Sequence, residues 1–60
     1  MFAIKINNLP AYAALHPFTV AQFDEDTGSF WFYGAYDDPA EAQAAADSEY
    51  CHNGIVCYRV

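Results

Sequence analysis

Apolar and polar positions alternate over much of this chain, and turn signals or a helical spacing take over where alternation stops. Residues 1–7 set Phe2, Ile4 and Ile6 against Ala3, Lys5 and Asn7, the period of a strand with one apolar face. Asn7-Asn8 and Pro10 end that strand. Residues 11–16 follow a proline, which suits a first helical turn, so one or two helical turns are expected there until Pro17 stops them. Such a connection is too long for a tight hairpin, so the first strand need not neighbour the second. Residues 18–23, Phe-Thr-Val-Ala-Gln-Phe, read as the second strand. The Asp24-Glu25-Asp26-Thr27-Gly28 segment then predicts a hairpin loop of four or five residues.

The stretch Ser29–Tyr36 dominates the pattern. It holds Phe30, Trp31, Phe32, Tyr33 and Tyr36, including the only Trp, and carries no charge. Strict alternation places Phe30, Phe32, Gly34 and Tyr36 on one face and Trp31, Tyr33 and Ala35 on the other. Both faces are apolar. After it, Asp38 suits a helix N-cap, Pro39 the first helical position and Glu41 the third position of a capping box. The Ala-rich helix so begun extends to about His52, where Asn53-Gly54 supplies the stop. Ala42, Ala45, Ala46 and Tyr50 share its inner side. Residues 55–60 form a last strand, with Ile55, Cys57 and Arg59 alternating against Val56, Tyr58 and Val60.

These elements predict an α+β fold: a small two-layer sandwich of a four-stranded, mainly antiparallel sheet with one Ala-rich helix, in the order β-β-β-α-β. Residues 1–60 make a single domain. The strand–helix–strand crossover is expected to be parallel and right-handed. On that plan Phe30, Phe32 and Tyr36 lie under the helix, with Gly34 permitting close approach. Trp31, Tyr33 and Tyr58 look outward as an exposed aromatic face. Trp and Tyr are enriched at binding hot spots, so these three are the candidate partner-binding anchors. The plainer alternative is that the 9–17 segment folds over that face and covers it.

Composition adds two constraints. Sixty residues bury only about 60% of the extended-chain surface, so with a 55% hydrophobic fraction that includes much Ala, the aromatics must supply most of the core. Eight acids against Lys5 and Arg59 give a net charge of −6. That balance disfavours direct contact with nucleic acid or anionic lipid and favours a protein partner with a basic surface. Asp24, Glu25, Asp26, Asp37 and Asp38 are the acids placed to steer such a partner, although solubility alone also accounts for them. Sequence does not decide whether they gather at one end of the sheet or two.

Other chemistry is thin. The acids at 24 and 26 resemble the start of a calcium loop, but position 35, where an EF-hand places its closing Glu, is Ala. Cys51 and Cys57 lack the paired spacing of a zinc site, so no metal or cofactor is expected. A disulfide between them is conceivable across the Asn53-Gly54 turn, but reduced thiols are favoured. A thiol–histidine pair would need His16 with Cys51 or Cys57, and a chain this small has little room for a pocket, so no enzyme is expected. The uncharged run before Asp24 is interrupted by asparagines, prolines, His16 and Gln22, which excludes a membrane span there. With no basic n-region ahead of an apolar stretch, a secretory signal is not expected, and the expected location is the cytoplasm.

In size, acidity and lack of a catalytic motif, the chain resembles the small single-domain proteins that bacteriophages and mobile elements encode to block host machinery, anti-CRISPR proteins among them. The resemblance is one of general character. It implies a phage-encoded inhibitor in the host cytoplasm, docking on a nucleic-acid-binding complex such as a CRISPR effector. It would act as an acidic nucleic-acid mimic or by wedging in an aromatic face. The alternative expectation is a structural or accessory module that forms a homodimer through the aromatic face and inhibits nothing.

Overall fold

A computed structural model describes residues 4–58 of the chain. Its elements are β1 (Ile6–Asn7), a 3-10 helix (Ala11–Leu15), β2 (Phe18–Asp24), β3 (Ser29–Tyr36), α1 (Pro39–Ala46) and β4 (Gly54–Tyr58). The strands form one four-stranded sheet in the order β1-β3-β2-β4. β2 pairs antiparallel with β3 and with β4, whereas β1 pairs parallel with β3. The sheet is thus mixed, which corrects the mainly antiparallel expectation, while the one-helix α+β architecture stands. β1 runs parallel because it meets β3 at Phe30 and Trp31, and the 3-10 segment then carries the chain on to Phe18, opposite Tyr36. Among the described residues of the expected first strand, Ile6 and Asn7 pair; residues 1–3, Phe2 among them, lie outside the described residues, as do Arg59 and Val60 of the last strand.

β3 and β4 both oppose β2, so they run parallel to each other, with α1 crossing between them over β2. The cluster beneath α1 contains Val20, Ala42, Ala46 and Cys51, with Phe18, Tyr33, Tyr36, Ala45 and Val56 packed against it. Alanines on the helix keep its axis close to the sheet. The opposite sheet face carries a second cluster around Ile6 and Ala21, with Ile4, Phe30, Phe32, Ile55 and Cys57. Tyr12 from the 3-10 helix stands edge-on to Phe32, ring centroids 6.0 Å apart. Thr19 is fully buried on this face, and its hydroxyl has no hydrogen-bond partner.

Strict alternation fails in β3, and a bulge is the reason. Val20 pairs with Gly34 but Ala21 pairs with Phe32, leaving Tyr33 as an extra residue. The two halves of β3 therefore have opposite parity. Phe30 and Phe32 face away from α1, while Gly34 and Tyr36 face it; they do not share one face as alternation predicts. Trp31 pairs with Gln22, two residues from Val20, and so lies on the helix side, not the far side. Tyr33 is half-buried against the helix cluster, and Tyr58, opposite Phe18, is also on the helix side. At Gly34 the close neighbour is not backbone or the helix, as expected, but the Tyr36 side chain: a Cβ there would meet its hydroxyl at 2.6 Å.

The helix is shorter than its sequence pattern predicts. Asp38 caps it, its carboxylate accepting from the Ala40 N–H at 2.9 Å, with Pro39 at its start. The capping-box return bond from Glu41 is not formed among the described residues. At the other end α1 stops at Ala46 instead of about His52. Asp47 accepts from the Gln43 side chain at 3.1 Å, the Ser48 N–H turns back to the Ala45 carbonyl, and Ser48 Oγ accepts from the Tyr50 N–H at 3.2 Å. The Ser48 bond to the Tyr50 backbone competes with helix continuation, whereas the Gln43–Asp47 pair is an i,i+4 contact that a helix accommodates. Residues 47–53 run instead as successive turns ending at Asn53, whose φ is +50°.

Candidate functional site

Early termination of α1 leaves the hairpin end of the sheet uncovered on the helix side. Gln22 and Trp31, paired across β2 and β3, lie beyond the cluster that α1 covers. The 47–53 turns descend beside them. The His52 N–H donates to Gln22 Oε1 at 3.2 Å, and the Phe23 N–H donates to the His52 carbonyl at 3.2 Å. Between these walls opens a cleft of about 310 Å³ lined by Gln22, Phe23, Asp24, Trp31 and His52. Trp31 is 37% exposed there. Phe23 turns its ring to Phe30, with centroids 5.0 Å apart.

The acidic loop forms the rim. Asp24 Oδ1 accepts from the Asp26 N–H at 3.0 Å, and the Gly28 N–H donates to the Asp24 carbonyl at 2.8 Å, closing the turn. Glu25 Oε1 accepts from Asn53 Nδ2 at 2.9 Å and lies 3.2 Å from His52 Nε2. His52 Nε2 also lies 3.2 Å from Asn53 Nδ2, so Glu25, His52 and Asn53 form one polar cluster. This tie joins the β2–β3 loop to the turns before β4. Asp26 and Glu25 are exposed. On the β1 side of the same loop, a second cleft of about 360 Å³ is lined by Ile4, Lys5, Asn7, Gly28, Ser29 and Phe30.

The remaining predicted residues lie elsewhere. Asp37 and Asp38 follow the other end of β3, whose eight residues span about 25 Å of extended chain. The acids therefore form two groups at opposite ends of the sheet, not one patch. Asp37 Oδ1 lies 2.7 Å from His16 Nδ1, and Asp38 is engaged in capping α1. Tyr58 shares that far end, its ring edge-on to Phe18 at 5.3 Å, and is 64% exposed. Thus Trp31, Asp24, Glu25 and Asp26 come together; Tyr58, Asp37 and Asp38 form a separate group; and Tyr33 is largely packed away.

Gln22, His52 and Asn53 are the residues that sequence reasoning missed. Their placement depends on where α1 stops and on pairing between distant segments, which no local pattern encodes. The two thiols lie on opposite sheet faces, both free, and burial pushes each above its ordinary value. Among the described residues no group of three or more His, Cys, Asp or Glu converges as a metal site. Nor is any helix there long and apolar enough to cross a membrane. No protein-family model, curated protein or solved structure matches this chain.

Proposed function

We propose that this chain is a small acidic protein-binding domain, an inhibitor or adaptor, that docks on a basic protein surface through the hairpin end of its sheet. The observation that carries this reading is the open cleft holding the exposed Trp31 beside Asp24, Glu25 and Asp26. An aromatic anchor within a charged rim is the arrangement of a binding hot spot. The net charge of −6 favours a partner that itself holds nucleic acid, in keeping with the resemblance to phage-encoded inhibitors. On this reading the chain works in the host cytoplasm. The acids lie in separate groups at opposite ends of the sheet, so an aromatic wedge with acidic steering fits better than extended mimicry of a phosphate backbone.

Capture from bacterial lysate by the immobilised chain tests the proposal against its own variants. The expected result is a protein retained by the wild type and lost with Trp31→Ala, whose retention also falls as salt screens the acidic rim. Retention that is flat in salt and survives both Trp31→Ala and the Asp24→Ala, Asp26→Ala pair would remove the hairpin end from the function.

A second reading is favoured by the sheet face opposite α1, where Phe30, Phe32, Ile55 and Cys57 are only half-buried. It makes the chain a homodimerising accessory module. Sedimentation separates the two: a dimer that Phe32→Ala dissociates and Trp31→Ala does not would favour this second reading.

A further inference from the structure

We propose that the Trp31 cleft is a receptor for one arginine side chain of the docking partner. This rests on the protein-binding reading above and names the group that its anchor site would take. At about 310 Å³ the cleft lies at the small end of ligand sites, suited to one long side chain and not to a cofactor.

Its chemistry selects a planar cation. The exposed indole of Trp31 is the strongest aromatic partner for a positive charge. Asp24, Gln22 and Trp31 share the helix-side face of the hairpin, so a carboxylate and an amide oxygen flank the indole. Asp24 Oδ1 already accepts from the Asp26 N–H, leaving Oδ2 to receive a donor from outside. Gln22 Oε1 accepts once, from the His52 N–H, and keeps a second lone pair. A guanidinium can stack on the indole and direct its in-plane N–H groups to these oxygens; an ammonium has no planar face to stack. Glu25 and Asp26 add negative potential from the rim. Among the described residues Lys5 lines the separate cleft across the loop, and the His52 ring is held toward Glu25. Charge and shape therefore agree on arginine.

Trp31 is the only Trp, so its fluorescence reports on the cleft without a label. The full chain is titrated with three end-blocked Gly-X-Gly peptides, X being arginine, lysine or citrulline. A saturable change with the arginine peptide is expected, with lysine about tenfold weaker and the neutral citrulline without effect. Asp24→Asn preserves the acceptor for the Asp26 N–H and is expected to weaken arginine binding about tenfold. No saturable response to arginine, or an equal response to citrulline, overturns the inference. If arginine binding fails while a lysate protein is still retained through Trp31 and the acidic loop, the inference falls and the protein-binding reading survives. If that retention is also absent, both fall.

Discussion

Gly54 shows how much of this fold rests on a single position. It opens β4 directly behind the end of α1, where a Cβ would press on the Ala46 carbonyl oxygen, lie 2.9 Å from Ala46 Cα and come 2.7 Å from Cys51 Sγ. Two of those neighbours are backbone, so the contact is not relieved by turning a side chain. Gly54→Ala should therefore destabilise the fold by about 2–3 kcal/mol, the upper range for overpacking a tight site. Gly28 is the useful contrast. Its φ is +68° but a Cβ there meets open space, so Gly28→Ala incurs only the left-handed backbone penalty of about 1–2 kcal/mol. Chemical denaturation of both variants checks the order; a Gly54→Ala loss below that of Gly28→Ala would refute the close approach of β4 to the helix.

At the scale of elements, α1 is short and its only strong local support is at its start. Its alanines favour helix, but eight residues are too few to be stable alone, so the helix depends on its cap and on the sheet. Asp38→Ala removes the acceptor for the Ala40 N–H and should lower stability by about 1 kcal/mol, with Asp38→Asn largely retaining it. Equal melting temperatures for Asp38→Ala and wild type would show that the cap contributes nothing. This cap was legible from Asp38-Pro39, and the β2–β3 hairpin from its acidic, glycine-ended loop. The helix stop was not, because Ser48 tolerates helix until its hydroxyl accepts from the Tyr50 N–H. The bulge at Tyr33 had one sequence signal, Gly34 inside an aromatic strand, a residue that marks either a bulge or a close approach. Here it marks the bulge, and that one extra residue moved Trp31 to the helix side. The cleft itself was illegible, since it depends on the bulge and the early helix end together.

For the whole molecule, two apolar clusters on a thin sheet place titratable groups in poorly hydrated surroundings. Burial raises Cys51 in the helix cluster and Cys57 in the opposite cluster above the ordinary 9.0. It likewise raises Tyr36 above 10.0, with Tyr33, Cys51, Glu41 and Tyr12 adding repulsion against a tyrosinate. In each case the folded state holds its proton more tightly than the unfolded state. Their stabilising contribution is therefore complete below the ordinary values and is lost as pH rises through the raised ones. Ionisation also adds negative charge to a chain already at −6, so self-repulsion acts in the same direction. The melting temperature should hold steady up to about pH 9 and then fall, with a further decline above about pH 10 as Tyr36 begins to contribute. Replacing both cysteines by alanine should remove the first part of that decline and leave the second. Thermal melts across this range, followed by circular dichroism, provide the check. A melting temperature unchanged well above pH 10 would mean that these three groups are as well hydrated in the folded chain as in the unfolded one.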